Sequence, residues 1–324
     1  MRLFGWQADR AGCAWWRIVE PFKELATRGH AVGHDVRYTA EWDDADTVLA
    51  QRTCMPGPTG SWQEWARQGR HIVYDLDDDL FSVELGAPNG RFFNQPEVQQ
   101  RIRDNIAAAC RVTVCSERLA EVLAPLHDDV RVVPNGVPAY LLDRPMPARE
   151  GRLTVGWAGT PSTLAELSLA VRPLRRLLDR RADVEVHTLG LPAEAIREAR
   201  LQHSRVRCTP PIHDPDAYLA AVDFDVWVAP YRSTAFNRAK APTKALEAAA
   251  LGIPIIASDI EPYRRFVRHG ETGFLVRQDH EWDAYLRELC DDDLRQRMGK
   301  AARELAREHT TEAIAPLWEE ALTP

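Results

Sequence analysis

The stretch Lys244–Asp259, KALEAAALGIPIIASD, decides the fold because it joins a helix directly to a buried strand. Alanine and leucine favour a helix up to Gly252, which ends it, and the apolar run IPIIA then has the length and branched side chains of a strand in a parallel sheet. Glu247 is the single acid of this helix. It lies about one turn in, near the end where helices of α/β sheets point their free N–H groups at anions.

The same alternation of short apolar runs and helical patterns continues through the chain and predicts parallel sheets wrapped by helices. A length of 324 residues favours two domains, and a proline-rich stretch near residues 138–151 divides the pattern into two series. We therefore predict an α/β protein with two doubly wound, Rossmann-like domains. The predicted bounds are residues 1–140, a linker at 141–151, residues 152–300, and a C-terminal helix at 301–324 that packs back on the first domain.

Composition excludes several classes of protein. A formal net charge of −7 argues against a general polyanion binder, although the arginines between Arg172 and Arg181 allow a local basic groove. The six cysteines show no CxxC or Cys/His ligand spacing, which is typical of reduced thiols. No uncharged run approaches the ~20 residues of a membrane span, and no apolar signal region opens the sequence. We expect a cytoplasmic protein without a membrane span.

Charged residues of both signs surround Glu247. A carboxylate here can accept both hydroxyl groups of a ribose, while helix N–H groups and the cations Lys240 and Lys244 face a diphosphate. The alternative is a solvated Lys244–Glu247 pair at i,i+3, which is worth only about 0.2–0.5 kcal/mol.

The following segments, Gly252-Ile-Pro-Ile-Ile-Ala-Ser-Asp259 and His269-Gly-Glu-Thr-Gly-Phe-Leu-Val276, favour the first reading. As one connected pattern of about 30 residues they resemble the nucleotide-sugar site of GT-B glycosyltransferases, in particular the retaining family called glycosyl transferases group 1. The resemblance extends to VRVVPNGV (130–137), GWAGTPSTLAEL (156–167) and LRQRMGKAARELA (294–306).

This resemblance implies two Rossmann-like domains facing a cleft. The second domain would hold a nucleoside diphosphate sugar based on UDP or GDP, the first would hold the acceptor, and the activity would be a metal-independent transfer, with retention, that requires no cofactor. The family usually carries two glutamates separated by seven residues, and Glu247 matches the second, which holds the ribose. The first, which touches the transferred sugar, falls on Ala239. Lys240 and Asn237 are candidate substitutes.

Further donor-site residues follow from their place after predicted strands. Glycines after the strand LTV permit close approach of a phosphate, and an arginine after VWVAP supplies a second cation, although turn glycines and loop arginines are more often structural. The predicted donor site consists of Gly156, Gly159, Thr160, Arg232, Asn237, Lys240, Lys244 and Glu247.

The segment HIVYDLDDDLF (71–81) gathers four carboxylates, Asp75, Asp77, Asp78 and Asp79, at the end of a strand. Their repulsion demands a metal, a basic neighbour or raised pKa values. We predict that Asp77 and Asp78 orient or deprotonate an acceptor hydroxyl, with Lys240 stabilising the departing diphosphate. The alternatives are a helix N-cap cluster and a DxD metal site of the GT-A type.

Three residues after the first strand, Gly12, Trp15 and Trp16, are the predicted acceptor contacts, because indole rings stack on sugars; the alternative is core packing. The acceptor itself stays open, with nucleic acid the less favoured class. Two rival functions remain: a non-catalytic nucleotide-sugar-binding module, motivated by Ala239, and a metal-dependent transferase centred on Asp75–Asp79.

Overall fold

The structure, a computed structural model, describes residues 1–10, 12–147 and 151–324. Residues 148–150 of the predicted linker therefore lie outside the described residues. The chain divides into two compact units, each with its own parallel sheet. Unit 1 consists of Met1–Pro138, Arg238–Ala241 and Thr310–Pro324, and unit 2 of Ala139–Asn237 and Pro242–His309.

Unit 1 is built on a six-stranded sheet in the order β2-β1-β3-β4-β5-β6, with every pairing parallel. The central strands β3 and β4 are buried at every residue, as expected for strands covered by helices on both faces. The strands are β1 (Arg2–Trp6), β2 (Ala31–Asp35), β3 (Thr47–Gln51), β4 (Ile72–Leu76), β5 (Arg111–Val114) and β6 (Val130–Val132).

The helices of the first 138 residues follow the strands in alternation. They are α1 (Gly12–Ala14), α2 (Glu20–Thr27), α3 (Pro56–Arg67), α4 (Gly90–Phe93), α5 (Pro96–Ala108) and α6 (Glu117–Leu123), with a π-helical turn at Trp15–Val19 and a 3₁₀ turn at Ala40–Trp42. Ser116 is the N-cap that the sequence predicts, because its Oγ accepts from the N–H of Leu119 at the start of α6.

Unit 2 repeats the plan with a second parallel sheet in the order β12-β11-β10-β7-β8-β9. Its strands are β7 (Leu153–Ala158), β8 (Val184–Leu189), β9 (Val206–Thr209), β10 (Val226–Ala229), β11 (Ile255–Ser258) and β12 (Gly273–Val276). Its helices are α7 (Leu164–Arg180), α8 (Ala193–Glu198), α9 (Pro215–Ala220), α10 (Ala235–Arg238), α11 (Thr243–Ala250), α12 (Glu261–Phe266), α13 (Asp279–Glu288) and α14 (Asp292–Ala306). Three 3₁₀ turns lie at Ala139–Asp143, Pro161–Thr163 and Arg307–His309.

The last helix, α15 (Thr311–Leu322), belongs to unit 1. Its buried side chains, among them Ile314 and Trp318, join the core that β1 and α2 supply. The backbone N–H of Thr311 donates to the carbonyl of Val137 at 2.8 Å, which fixes the start of the helix against the end of the N-terminal segment.

The two doubly wound α/β sheets confirm the predicted fold class, while several elements differ from prediction. The strands β2 and β9 were not predicted, because they lie at sheet edges where polar and exposed residues weaken the apolar pattern. The helix predicted from Trp15 to Arg28 instead begins with the π-helical turn Trp15–Val19, and α2 starts at Glu20. Pro21 is tolerated in the first turn of α2 because backbone N–H groups there have no partner within the helix. Gly252 ends α11 as predicted, with a left-handed φ of 70°.

Candidate functional site

Glu247 is a buried carboxylate on α11. This helix follows β10 and is buried at Ala245, Leu246 and Ala248–Ala250, which explains its alanine-rich sequence. Glu247 is 5% exposed, and its Oε2 accepts a hydrogen bond from the hydroxyl of Tyr218 on α9 at 3.0 Å. Oε1 has no hydrogen-bond donor among the residues that the structure describes, so one buried carboxylate oxygen is available to a ligand.

Lys244 does not form the solvated ion pair considered from the sequence. Its Nζ lies 3.2 Å from the hydroxyl of Tyr231 and 5.1 Å from the centroid of that ring, which is a cation–π contact. The Tyr231 ring in turn stacks on Tyr263 at a centroid distance of 5.4 Å. The reading of Lys244 and Glu247 as an exposed i,i+3 pair is therefore wrong, because the carboxylate is buried and the ammonium contacts an aromatic ring.

Burial raises the pKa of Glu247 to about 7, and the charge of Lys244 and the hydrogen bond from Tyr218 only partly oppose this rise. Desolvation penalises the charged form of a carboxyl group unless enough donors replace water. Glu247 therefore titrates near neutral pH, and a ligand that donates hydrogen bonds to Oε1 would favour its ionised form.

Glu166 forms a second buried cluster in unit 2 that the sequence reading missed. It lies in the first turn of α7 and is 6% exposed. Its carboxylate accepts from the backbone N–H of Arg232, from Arg232 Nε at 3.2 Å and from Asn237 Nδ2 at 3.1 Å. The available signal was an acid in the first turn after a glycine-containing loop, where the positive end of a helix favours it.

The Glu166 cluster contains two residues of the predicted donor-substrate site, Arg232 and Asn237, and both donate hydrogen bonds to Glu166. The guanidinium of Arg232 is paired with Glu166 at 3.1 Å, while 42% of its side chain stays exposed. The side chain of Asn237 is buried, and its Nδ2 also donates to the carbonyl of Arg232 at 3.0 Å. Glu166 thus fixes the conformation of the loop that carries both residues.

The predicted phosphate loop begins later than expected. Gly156 lies inside β7, which continues to Ala158, so placing it in a turn was wrong. A Cβ at this position would lie 1.9 Å from the ring of Phe224, so glycine is required for the packing of that ring. Gly159 and Thr160 do follow the end of the strand, and the side chain and backbone of Thr160 form a capping box with Thr163.

Residues 152–292, which contain all of these unit 2 features, match the family model described as Glycosyl transferases group 1. This segment is therefore similar to group 1 glycosyltransferases. The match confirms the resemblance predicted from the Glu247 region and, at the level of class, the prediction of a glycosyltransferase.

Solved structures that are similar to the whole chain confirm the predicted GT-B fold. A glycosyltransferase from Rickettsia africae aligns with a TM-score of 0.69 and 13% identity over 98% of this chain and 96% of that one. Sucrose-phosphate synthase from Thermosynechococcus elongatus aligns with a TM-score of 0.71 and 15% identity over 99% of this chain and 98% of that one. Anabaena HepE in complex with UDP and glucose aligns with a TM-score of 0.66 and 16% identity over 99% of each chain. No curated protein sequence matches the chain.

Asp75 lies outside the acidic turn in which the sequence placed it. It is a residue of β4, fully buried, and its carboxylate accepts from Arg17 Nη2 and from Thr113 Oγ1, each at 2.7 Å. Burial raises its pKa despite the opposing charge of Arg17. Asp75 is therefore an internal ion-pair residue and not an acceptor contact.

Asp77 and Asp78 form the acidic turn after β4, and cations neutralise both. Arg52 donates through Nε to Asp77 and through Nη2 to Asp78 at 2.7 Å, and Lys240 Nζ donates to Asp78 Oδ1 at 2.6 Å. Burial opposes ionisation of Asp77, but the charge and hydrogen bond of Arg52 outweigh it and hold the pKa below its usual value. Arg52 has a left-handed φ of 51°, a strained conformation for a non-glycine residue.

The ion pairs with Arg52 and Lys240 compensate the negative charges of Asp77 and Asp78, so basic neighbours reduce the repulsion between these carboxylates. Within residues 1–10, 12–147 and 151–324 there is no group of three or more His, Cys, Asp or Glu side chains that could hold a metal ion. The N-cap alternative is wrong, because no helix begins after Asp79, whose carboxylate instead accepts from the N–H of Phe81 at 3.1 Å. The structure also places Lys240 in unit 1, on Asp78.

The predicted acceptor residues differ in their access to solvent. Trp15 is only 5% exposed and packs edge to face on Trp16, with 4.7 Å between the centroids, so the prediction that its ring offers a face to an acceptor is wrong. Trp16 stays half-buried, and Gly12 at the start of α1 has open space around its Cβ position. Next to them, the thiol of Cys13 accepts from Arg52 Nη2 at 3.3 Å, and burial, together with the charge of Asp77, raises its pKa well above the usual value.

In the part of the chain that the structure describes, no helix is both long and apolar enough to cross a membrane.

Proposed function

We propose that this protein transfers a sugar from a nucleoside diphosphate sugar to an acceptor hydroxyl, with retention of configuration. The observation that carries the proposal is Glu247, a buried carboxylate with one oxygen held by Tyr218 and the other available, inside the segment that matches the group 1 family. Such an oxygen can accept hydrogen bonds from two adjacent ribose hydroxyls. These bonds would replace the hydrogen bonds to water that burial removes.

The roles of the other residues follow from charge and position. Lys244 and the backbone N–H groups at the start of α11 would bind the diphosphate, with Arg232, Gly159 and Thr160 after their strands as further contacts. Lys240 would stabilise the departing diphosphate, and Asp77 or Asp78 would orient the acceptor hydroxyl. UDP is the favoured donor nucleotide, because HepE, which shares the fold, was solved with UDP and with UDP-glucose. No divalent metal is part of this proposal.

Isothermal titration with UDP and with GDP tests the donor site. The wild type should bind one of them, and Glu247→Ala should weaken that binding by at least ~1.5 kcal/mol, the loss expected for a charged hydrogen-bond acceptor. Glu288→Ala is the matched control, because this glutamate is exposed on α13 in the same unit. Equal affinity of wild type and Glu247→Ala would remove Glu247 from the nucleotide site.

A non-catalytic nucleotide-sugar-binding protein is the second candidate. It is favoured by Ala239, which stands where the family carries its sugar-binding glutamate and whose side chain is fully buried. Release of nucleoside diphosphate from a panel of nucleotide sugars, with and without added acceptors, distinguishes the candidates, since a binding protein releases none. Turnover that survives EDTA would dispose of the metal-dependent alternative at Asp75–Asp79.

We also propose a cytoplasmic location. All six cysteines are unpaired, with Cys54 and Cys115 buried and Cys110 exposed, which supports a reducing compartment.

A further inference from the structure

Helix α7 carries a row of arginines on its exposed side. Residues three and four apart on a helix are neighbours on one face. Arg172 and Arg175 follow this spacing, Arg180 lies eight residues after Arg172, and all three are exposed. The leucines between them, Leu174, Leu177 and Leu178, are buried in the core of unit 2. The arginines therefore face solvent because the leucines fix the opposite side of the helix.

Two open grooves flank this row of arginines. One has a volume of about 380 Å³ and is lined by Arg172, Arg175, Arg176 and, from the turn after α8, Arg200. The other has a volume of about 240 Å³ and is lined by residues that include Arg180, Arg181 and, from α13, Arg287. Arginines from three separate elements thus share one surface, which we call the arginine face: Arg172, Arg175, Arg180, Arg200 and Arg287.

Arginines outnumber carboxylates at both grooves among the residues that the structure describes, with Asp179 in the first groove and Asp283 in the second. Arg176 is paired with Asp283 at 2.5 Å and Arg181 with Asp183 at 2.7 Å. The five members of the face have no carboxylate partner among the residues that the structure describes, and the first groove has Asp179 as its single acidic lining residue.

Two of these arginines are brought together by the backbone. Arg175 Nη1 lies 3.5 Å from the carbonyl oxygen of Arg200, whose own φ of 57° is left-handed. Like charges held close together destabilise the fold, so an uncompensated cluster of this size points to an anionic partner.

We propose that the arginine face docks the protein on a bilayer that contains anionic phospholipids. Guanidinium groups bind phosphate well, and clusters of basic residues on an amphipathic helix are typical of proteins that bind anionic membrane surfaces. Leu169 is 37% exposed and precedes Arg172 by three residues, so an apolar side chain lies beside the cations, as the boundary between headgroups and acyl chains favours.

The same features disfavour a nucleic acid as the partner. Neither groove has an aromatic lining residue on which bases could stack. The chain carries a net charge of −7, which opposes a polyanion that wraps around it, whereas a bilayer meets a single face. The helix that carries the arginines has 17 residues and is about 25 Å long, so its exposed side can meet a planar surface over several turns.

Sedimentation with lipid vesicles tests the proposal. The probes are vesicles of phosphatidylcholine alone and vesicles in which about one third is phosphatidylglycerol, each with the full chain. The wild type should bind the second and not the first, and roughly half-molar salt should release it by screening. The variant R172Q/R175Q/R200Q should bind at least ~10-fold more weakly, because each arginine near the surface contributes roughly fivefold.

The matched control removes three cations elsewhere in unit 2, R297Q/K300Q/R307Q, which changes the net charge by the same amount. It should keep the affinity of the wild type, and both variants should melt near the wild-type temperature because the substituted side chains are on the surface. The proposal is overturned if the wild type binds neither vesicle, if both variants lose affinity equally, or if duplex DNA at equal phosphate concentration displaces the vesicles. Vesicle binding needs no nucleotide, so these results are independent of the proposed transfer reaction.

Discussion

Three carboxylates of unit 1, Asp75, Asp77 and Asp78, differ from Glu247 of unit 2 in the groups that donate hydrogen bonds to them. In unit 1, Asp75, Asp77 and Asp78 each accept hydrogen bonds from Arg17 or Arg52. In unit 2, Glu247 is buried but has one phenol as its hydrogen-bond partner and a pKa raised to about 7. Asp75 and Glu247 are both buried, but only Asp75 has a guanidinium partner among the residues that the structure describes; in unit 2 the buried Glu166 has one in Arg232.

This difference separates a group that holds the fold together from one that is available to a ligand. A buried carboxylate that is paired with a guanidinium group is fixed in geometry, so removal of its partner should change stability. A buried carboxylate without such a partner is destabilising when ionised, and a ligand that supplies donors relieves that cost. Glu247 fits the second description and Asp75 the first.

Arg17→Met should show the largest effect. Arg17 is fully buried, pairs with Asp75, donates to Val133 and Asn135 and lies over the Trp318 ring at 4.7 Å. Removing one partner of a buried pair leaves an uncompensated charge and costs about 3–5 kcal/mol of the free energy of unfolding. Urea denaturation at pH 7 measures this loss.

Arg10→Met is the control for Arg17→Met, because the Arg10–Asp35 pair has side chains that are 73% and 47% exposed. An exposed pair of this kind contributes at most about 1 kcal/mol, so this variant should remain close to the wild type. Similar losses in the two variants would show that the Arg17–Asp75 pair does not differ from a surface pair, and the comparison would fail for unit 1.

Arg52→Gln should have a smaller effect that depends on pH. The pKa of Asp77 is lowered in the folded state, so its interaction with Arg52 stabilises the fold above the unfolded pKa near 4 and loses that contribution as pH falls. The variant should lose about 1–3 kcal/mol at pH 7 and clearly less at about pH 2, because the contribution is lost only as the pH falls through the lowered pKa of Asp77 in the folded state. Denaturation of both proteins at the two pH values measures the difference, and a loss independent of pH would assign the role of Arg52 to packing.

Sequence patterns anticipated the sheets better than the partners of charged residues. Alternating apolar runs predict two parallel sheets because strands such as β3 and β4 are buried at every residue. They cannot show that Arg17 pairs with Asp75, because 58 residues separate the two and only the packing of the π-helical turn against β4 brings them together. The prediction of a turn at Gly156 was wrong for a similar reason. Glycine is needed there because the ring of Phe224, which is distant in the sequence, packs against this position.

The candidate site was anticipated where its signal is local. Glu247 stands out because its helix otherwise contains apolar residues after Lys244, and the run to Asp259 fixes where that helix ends. Glu166 was missed because its partners, Arg232 and Asn237, come from a loop that follows another strand. The assignment of Arg238–Ala241 to unit 1 likewise depends on tertiary contacts, such as the bond from Ser116 Oγ to the carbonyl of Ala239 at 2.6 Å, that no local pattern encodes.

The pH dependence of UDP binding should give the smallest effect and the most direct comparison of the two regions. If the ribose hydroxyls donate to ionised Glu247, protonation of this group below its pKa of about 7 should weaken binding by at most ~10-fold per pH unit, with little change above pH 8. Glu247→Gln should show no such change beyond that caused by titration of the phosphate of UDP itself. Tyr218→Phe removes a hydrogen bond that lowers the pKa of Glu247, so its profile should shift towards higher pH. Titration calorimetry between pH 6 and about pH 8.5 measures all three profiles. Identical profiles for the wild type and Glu247→Gln would mean that nucleotide binding does not depend on the charge of Glu247, and that its lack of a guanidinium partner has no role in binding.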